Sequence, residues 1–344
     1  MRLASLRLVG LPPFADVTIP FAEEDGTPRQ VTVLFGGGGV GKTTAIGALA
    51  STRPGYAAVV GAGGEGEAFA VADWVLGDDD PDRPHPLSVA SPMAKVEGSE
   101  QDELLRRRQQ AHYERVAKDG GFAFVAIAST RWFSRQPLAL SAPSRTVARY
   151  DVRAQSPLED ASRTDLARET KQALAYAAIS SALSRDRSGA GFGRLGEAMS
   201  LAVDGLVSLA GFSYAGLDPG SFEPTFKTED GSVLSFDALP TRARHLVAFA
   251  ALPVRTLWAA HPRKNPLEAE GVVCIDEIEL QQDAGVQGSI LSALRRTLPR
   301  VQWIVTTASP TVASSAEERE VYALRRLPRA QSVEIFSGPE ARVH

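Results

Sequence analysis

The sequence has little that would tie it to a membrane, an oxidising compartment or a basic nucleic-acid surface. Its 344 residues hold one cysteine, Cys274, which excludes an intramolecular disulfide and a cysteine-based zinc site. No apolar run approaches the roughly 18 residues of a membrane span. Pro12, Pro13 and Asp16 interrupt the start of the chain before the apolar core of a signal peptide could form. These absences predict a soluble, cytoplasmic protein with no membrane insertion.

The charge balance excludes a global basic field. Lysine and arginine number 37 against 41 aspartates and glutamates, for a formal net charge of −4. Nucleic acid could therefore be contacted only by a local patch or through a partner. The apolar fraction of 44% is ample for a core. The chain is long enough for one large α/β domain with an inserted lobe, or for two domains.

A glycine-rich stretch is the first motif that carries chemistry, since residues 36–43 match G-x-x-x-x-G-K-[ST]. The stretch is made of Gly36, Gly37, Gly38, Gly39, Val40, Gly41, Lys42, Thr43 and Thr44. A β-branched run precedes it and a helix-compatible run follows it, as a P-loop requires. A surface loop with a chance lysine would need neither. The motif predicts backbone N–H groups around phosphates, with the charge of Lys42 beside them and the Thr43 hydroxyl on Mg²⁺.

A pair of carboxylates much later in the chain is the second motif. The apolar run 272–275 predicts a strand that delivers Asp276 and Glu277 at its C-terminal end, where parallel α/β sheets bind ligands. In P-loop enzymes the first acid holds Mg²⁺ and the second accepts a proton from the attacking water. A solvated acidic turn is the alternative for the pair alone. Together with the P-loop, the pair predicts Mg-nucleotide binding and hydrolysis.

The remaining pattern predicts an α/β fold of P-loop type, with a mixed central sheet, an N-terminal antiparallel β part and an inserted helical lobe. Strands are predicted within residues 2–21, and an alanine-rich helix, with no proline after Pro157, over 157–186. We expect three parts: residues 1–150 with the P-loop, the helical lobe 151–220, and 221–344 with the second motif.

Three further segments have specific predictions. Residues 222–236 predict a hairpin that turns at Asp230-Gly231. The segment from Leu246 to Leu257 predicts a helix that Pro253 should kink or end. Residues 122–129 predict a buried strand.

The order of these motifs resembles the ABC-type ATPases of the RecF/SMC branch. Residues 275–279, the amphipathic helix after them and the run 302–310 are especially similar to the ATPase half of OLD-family proteins and related predicted ATP-binding proteins of bacterial defence systems. The resemblance implies an ATPase with ATP and Mg²⁺ as cofactors, a homodimer on ATP binding, and a DNA-related or antiviral role. OLD proteins continue into a nuclease domain. This chain stops at His344, so we expect a nuclease or other effector to be a separate polypeptide.

Carried over by position, the resemblance assigns roles to individual residues. Lys42 and Thr43 become the phosphate and Mg²⁺ residues, Asp276 the Walker B acid on Mg²⁺, and Glu277 the catalytic base. Gln136 follows the predicted strand 122–129 and is the candidate for the Q-loop, contacting nucleotide and Mg²⁺. The alternative for Gln136 is a polar residue of a loop without such a role.

Two departures from the family pattern predict slow turnover. Ala308 replaces the histidine of the family's Thr-His-Ser-Pro, and a methyl group cannot hydrogen-bond. Residues 239–242 read Leu-Pro-Thr-Arg where the family has the signature Leu-Ser-x-Gly. Either the signature has relaxed, or Arg242 or Arg244 reaches a phosphate across the dimer as an arginine finger. Losing one transition-state contact costs roughly 10²- to 10³-fold in rate.

Four functions are compatible with these motifs. The first is a slow ATPase that acts as the nucleotide-driven dimerising subunit of a DNA-related or anti-phage complex. The second is an ATP-gated scaffold with little hydrolysis that assembles with a separate effector. The ATPase subunit of a membrane transporter is less favoured because of the altered signature and the long insertion. A small-molecule kinase is less favoured because the Asp276-Glu277 pair followed by Thr306-Thr307 belongs to the ABC pattern.

Overall fold

The computed structural model describes residues 1–53, 68–77, 87–92, 94–119, 121–135, 137–138, 140, 165–184, 190–326 and 332–341. The strands are β1 Arg2–Val9, β2 Asp16–Pro20, β3 Val31–Phe35, β4 Phe69–Val75, β5 Leu87–Ala90, β6 Phe124–Ile127, β7 Phe212–Leu217, β8 Pro224–Thr228, β9 Val233–Ser235, β10 Gly271–Ile275, β11 Val301–Thr307, β12 Val321–Arg326 and β13 Val333–Ser337. The helices are α1 Lys42–Ser51, α2 Glu100–Asp119, α3 Leu166–Ser184, α4 Ala190–Val207, α5 Thr241–Ala260, α6 Ala284–Thr297 and α7 Pro310–Ser314.

A six-stranded mixed sheet in the order β13-β12-β3-β11-β10-β6 forms the centre of the fold. Its strands run parallel, except that β13 is antiparallel to β12. All residues of β10 and β11 are buried, as expected for parallel strands covered on both faces. The order places β11 between β3 and β10. The C-terminal ends of the strands that precede the two motifs therefore lie at the same edge of the sheet.

The strand predicted over residues 122–129 is shorter than expected and forms only over Phe124–Ile127. It pairs with β10 at the edge of the central sheet. The chain turns directly after it, and the carbonyl of Ala128 accepts a hydrogen bond from the Arg131 guanidinium at 3.1 Å. An apolar run alone does not show this turn, because the residue that fixes it lies beyond the run.

The predicted N-terminal antiparallel part is confirmed as a four-stranded sheet in the order β2-β1-β4-β5. A buried amide joins it to the central sheet. The Gln302 side chain in β11 accepts from the Leu3 N–H at 2.7 Å and donates to the Leu3 carbonyl at 2.9 Å. Buried polar groups need such partners, and here they fix how the two sheets meet.

Helices α3 and α4 pack against α5, and a three-stranded sheet, β7-β8-β9, lies beside them. The predicted hairpin is confirmed, with Gly231 at φ 85° in its turn. The described helix over the predicted range 157–186 is α3, and residues 157–164 and 185–186 lie outside the described part. Residue 220, the expected end of the helical lobe, lies between the paired strands β7 and β8. The three-part division stays a prediction.

The expectation that Pro253 ends the first half of its helix is wrong, because α5 runs from Thr241 to Ala260 through the proline. An interior proline costs about 3 kcal/mol. Residues 245–254 are all buried, and each large apolar side chain among them contributes about 1.5–3 kcal/mol. Burial of this helix therefore outweighs the missing backbone donor. Within the described residues, none of the helices is long and apolar enough to cross a membrane.

A buried histidine in α5 gives a test of this core. His245 is 2% exposed, and neither ring nitrogen has a hydrogen-bond partner among the residues that the structure describes. Burial, together with the nearby Arg131 and Arg244, lowers its pKa to about 3. In the unfolded chain His245 thus binds a proton as the pH falls below about 6.5, whereas in the folded chain it does so only near pH 3. The free energy of unfolding therefore falls as the pH drops from 6.5 towards 3.

We expect His245→Phe to remove this dependence, because phenylalanine keeps a ring among the same neighbours and has no proton to bind. Urea unfolding at pH 7 and pH 5 measures it. The loss of stability between the two pH values should shrink by about 2 kcal/mol in the variant. His261, whose pKa burial lowers to about 4, is unchanged in both proteins and leaves a residual slope. Equal slopes in the two proteins would contradict a neutral, buried His245.

Candidate nucleotide-binding site

The loop between β3 and α1 is closed on one side by the N-terminal segment. Gly41 has φ 90°, a conformation that side chains other than glycine rarely adopt. A Cβ there would lie 2.6 Å from the Phe14 ring and 2.7 Å from Cδ of Pro13. The final glycine of the motif is therefore required both by its backbone and by the wedge of Pro13 and Phe14 behind it.

The other side of the loop is open. Among the residues that the structure describes, a Cβ on Gly37, Gly38 or Gly39 would meet no atom within 4 Å, so these glycines border free space. Lys42 is buried, and its Nζ donates to the carbonyls of Gly36 and Gly37 at 2.7 Å each. An open glycine loop, with a buried ammonium on its carbonyls and the N-terminus of α1 beside it, fits a phosphate chain.

The two motifs meet at Asp276. Its Oδ2 accepts from the Thr43 hydroxyl at 2.7 Å, and its Oδ1 accepts from the Thr306 hydroxyl at 2.5 Å. Asp276 is 1% exposed, so these hydroxyls compensate a buried carboxylate. A carboxylate and a hydroxyl in contact are the hard oxygen ligands that Mg²⁺ prefers. The residues present therefore fit the ion, and a bound Mg²⁺ would neutralise charge on the phosphates.

Glu277 follows directly and is half-buried. Its φ of 47° places it in the left-handed region, and its N–H donates to the Thr306 hydroxyl at 2.8 Å. Burial raises the pKa of its carboxyl, and the neighbouring Asp276 and Glu279 raise it further. A glutamate with a raised pKa is better matched to proton abstraction near neutral pH. The catalytic role of Glu277 stays a prediction.

Glu279 has a contact that the sequence did not indicate. Its Oε1 accepts from the backbone N–H of Ala308 at 2.7 Å, and its Oε2 is buried. Ala308 is the position where the resembling family has histidine. Here Ala308 is exposed, and its N–H is bound by the carboxylate of Glu279, which lies in the acidic turn after β10.

Arg242 pairs with its own chain in this structure. Its guanidinium lies 2.6 Å from Asp283, which also caps the N-terminus of α6 by accepting from the Val286 N–H at 3.0 Å. Both partners of the ion pair are partly exposed. The contact with a phosphate across a dimer stays a prediction for Arg242. Gln136, the Q-loop candidate, lies outside the described residues.

The sequence did not indicate the contacts that Thr306 and Glu279 make in this region. Nor did it indicate a third residue, Arg131. Its guanidinium donates to the carbonyl of Asp276 at 2.6 Å and to that of Glu277 at 2.8 Å. Arg131 follows a predicted strand in a polar stretch. That position alone gives no sign of a partner 145 residues away.

With this geometry described, solved structures can be compared. The Smc head domain with an extended coiled coil bound to the C-terminal domain of ScpA, derived from Pyrococcus furiosus, matches 98% of this chain and 96% of its own, with a TM-score of 0.56 and 17% identity. The chain has the fold of an SMC-type ABC ATPase head. At this identity the likeness shows the fold alone. The strand order and this likeness confirm the predicted ABC-type fold, with its mixed central sheet and N-terminal antiparallel part.

No family model matches this chain. Its sequence is distantly homologous to two proteins described as probable ATPases of retrons. It is 31% identical over 100 residues to "Retron Vc95 probable ATPase" of Vibrio cholerae serotype O1 biovar El Tor, which is 29% of this chain and 20% of that protein. It is 33% identical over 93 residues to "Retron Ec83 probable ATPase" of Escherichia coli, which is 27% of this chain and 17% of that protein. The match thus spans a fifth or less of these curated relatives.

Proposed function

We propose that this chain binds Mg-ATP and hydrolyses it slowly, as the nucleotide-driven dimerising subunit of an anti-phage defence or other DNA-related complex. The observation that carries the proposal is the contact between the Thr43 hydroxyl and Asp276, at 2.7 Å. It joins the end of the P-loop to the acidic turn, although the two motifs lie far apart in the sequence. The open side of the glycine loop adjoins them.

In this proposal each residue has a separate task. Lys42 turns from the loop carbonyls to the phosphates, and Thr43 and Asp276 hold the Mg²⁺. Glu277 accepts a proton from the attacking water, which its raised pKa favours. A bound Mg²⁺ and the Lys42 ammonium would supply the positive charge that stabilises a transferring phosphoryl group. Catalysis would therefore rest on positioning and electrostatics.

Slow turnover is supported by the two altered positions. The exposed methyl of Ala308 offers no hydrogen bond to a phosphate, and its N–H is already bound by Glu279. Each missing transition-state contact lowers a rate by roughly 10²- to 10³-fold. An enzyme of this kind is better suited to a switch than to a motor.

The biological setting is supported by the relatives. The two curated relatives described above are named as retron probable ATPases, and the motifs resemble ATP-binding proteins of bacterial defence systems. We infer that the chain acts with a separate effector protein, a nuclease or another enzyme, and that nucleotide binding controls their assembly. Direct contact with nucleic acid would need a local basic patch, because the formal net charge is −4.

The second candidate is a scaffold that binds ATP and dimerises with almost no hydrolysis. The pairing of Arg242 with Asp283 favours it, since an arginine bound to its own chain is not presented to a second protomer. Hydrolysis separates the candidates, because both bind nucleotide.

Phosphate release by the purified chain tests the proposal. We expect Mg-ATP hydrolysis that exceeds the background of a Lys42→Ala protein and stops when EDTA removes the ion. Sedimentation of the Glu277→Gln protein should show a dimer with Mg-ATP and a monomer without it. A nucleotide-dependent dimer with no hydrolysis by the unmodified chain would select the scaffold. Neither dimer nor hydrolysis would contradict both candidates.

A further inference from the structure

A buried arginine lies behind the acidic turn and binds its backbone. Arg131 is 7% exposed, and its guanidinium donates to three carbonyls. The acceptors are Ala128 at 3.1 Å, Asp276 at 2.6 Å and Glu277 at 2.8 Å. Burial lowers its pKa to about 10, so it remains a cation at neutral pH. The planar fork of a guanidinium can bridge two successive carbonyls, which a lysine ammonium does not reproduce.

The backbone that Arg131 binds is in a strained conformation. At φ 47° Glu277 carries a Cβ in the left-handed region, a strained conformation that persists only where surrounding contacts hold it. Three contacts do so: the Glu277 N–H donates to the Thr306 hydroxyl, and its carbonyl accepts from Arg131 and, at 3.1 Å, from the Leu280 N–H. The direction of the Glu277 side chain therefore depends on the guanidinium on the opposite side of its peptide.

The same guanidinium also contacts α5. Its central carbon lies 5.2 Å from the centre of the Phe249 ring, and Phe249 stacks on His245 with ring centres 6.0 Å apart. His245 in turn lies 5.1 Å from Phe133, whose ring is 5.2 Å from the Arg244 guanidinium. This alternating stack reaches the first turn of α5, the helix that begins where the family signature is replaced.

We propose that Arg131 is a positioning residue that holds Glu277 in the conformation needed to accept a proton, and that couples this turn to the start of α5. The inference rests on the proposed function for its catalytic consequence. Arg131 does not touch substrate; it acts through Glu277. The geometric part, an arginine that maintains the left-handed Glu277, stands on contacts alone.

Kinetics of Arg131→Gln test the catalytic consequence. We expect kcat for ATP to fall roughly 10- to 100-fold while KM stays within about threefold, because a misplaced group affects the chemical step more than binding. Arg131→Lys, which keeps the charge and loses the fork, should recover only part of the rate. The matched control is Arg135→Gln, an exposed arginine in the same loop, which should behave as the unmodified protein.

A double variant distinguishes positioning from general damage. If Arg131 acts through Glu277, adding Arg131→Gln to Glu277→Gln should change the remaining rate by less than about threefold. A structural lesion would instead multiply the two losses. An Arg131→Gln enzyme with full kcat, or full multiplication in the double variant, would overturn the proposal.

Hydrogen exchange without nucleotide tests the geometric part separately. The Glu277 and Ile278 amides are hydrogen-bonded to Thr306. Peptides covering 276–282 should exchange about tenfold faster in Arg131→Gln than in Arg135→Gln. Unchanged protection would overturn the positioning role. If the unmodified chain hydrolyses no ATP but this exchange difference is found, the enzymatic function fails and the structural role of Arg131 stands.

Discussion

Replacing Glu277 with glutamine is expected to lower steady-state Mg-ATP hydrolysis by roughly 10²- to 10⁴-fold, the range that a general base contributes. The amide cannot accept the proton of the attacking water, yet it has nearly the same shape. The backbone contacts to Thr306 and Arg131 do not involve the substituted group. Affinity for ATP should therefore stay within a few-fold. Phosphate release and equilibrium binding of a fluorescent ATP analogue measure the two quantities.

Glu279→Gln is the matched control, because it changes another glutamate of the same turn. A glutamine there keeps a carbonyl oxygen for the Ala308 N–H, so we expect no more than a few-fold loss of hydrolysis. The reverse result, a large loss at Glu279 and none at Glu277, would reassign the base. Equal rates in both variants and in the unmodified protein would mean that neither carboxylate accepts the proton.

The parts of the site that the sequence predicted are local in the chain. A P-loop is specified by a few adjacent residues, because glycine conformations and the charge of one lysine produce its chemistry. The acidic pair is likewise read from one strand end. Thr43 of the P-loop contacts Asp276 of the acidic pair. That the two motifs lie near each other could be expected without knowing the strand register, because ligands bind at the carboxyl ends of parallel strands.

The parts that were not predicted depend on tertiary partners. Arg131 looks like any polar residue after a strand, and its role exists only because β6 pairs with β10. Thr306 was visible as part of the motif after β11, but its hydroxyl bridging Asp276 and Glu277 was not. Pro253 shows the same limit for the fold. Local preference predicted that the proline would kink the helix or end its first half, and burial of α5 carries the helix through it.

Replacing Lys42 with alanine is expected to remove most of the affinity for ATP. The Nζ now donates to the Gly36 and Gly37 carbonyls at 2.7 Å, at the base of the open side of the loop. Phosphates would exchange these contacts for charge-assisted ones, worth about 1.5–3 kcal/mol each. Losing one such contact weakens binding roughly 10- to 150-fold. Calorimetric titration with Mg-ATP measures this change directly.

Lys227→Ala is the control for this change, since Lys227 is an exposed lysine on β8, outside the P-loop and the acidic turn. Its variant should bind ATP as the unmodified chain does, and both variants should keep the thermal midpoint within a few degrees.

The Lys42→Ala and Glu277→Gln variants are most informative together, because the two changes should separate ATP binding from hydrolysis. Lys42→Ala is expected to lose ATP binding, the nucleotide-dependent dimer and hydrolysis together. Glu277→Gln is expected to lose hydrolysis alone. Full ATP affinity in Lys42→Ala would mean that nucleotide binds elsewhere on the chain, and that the open glycine loop does not hold its phosphates.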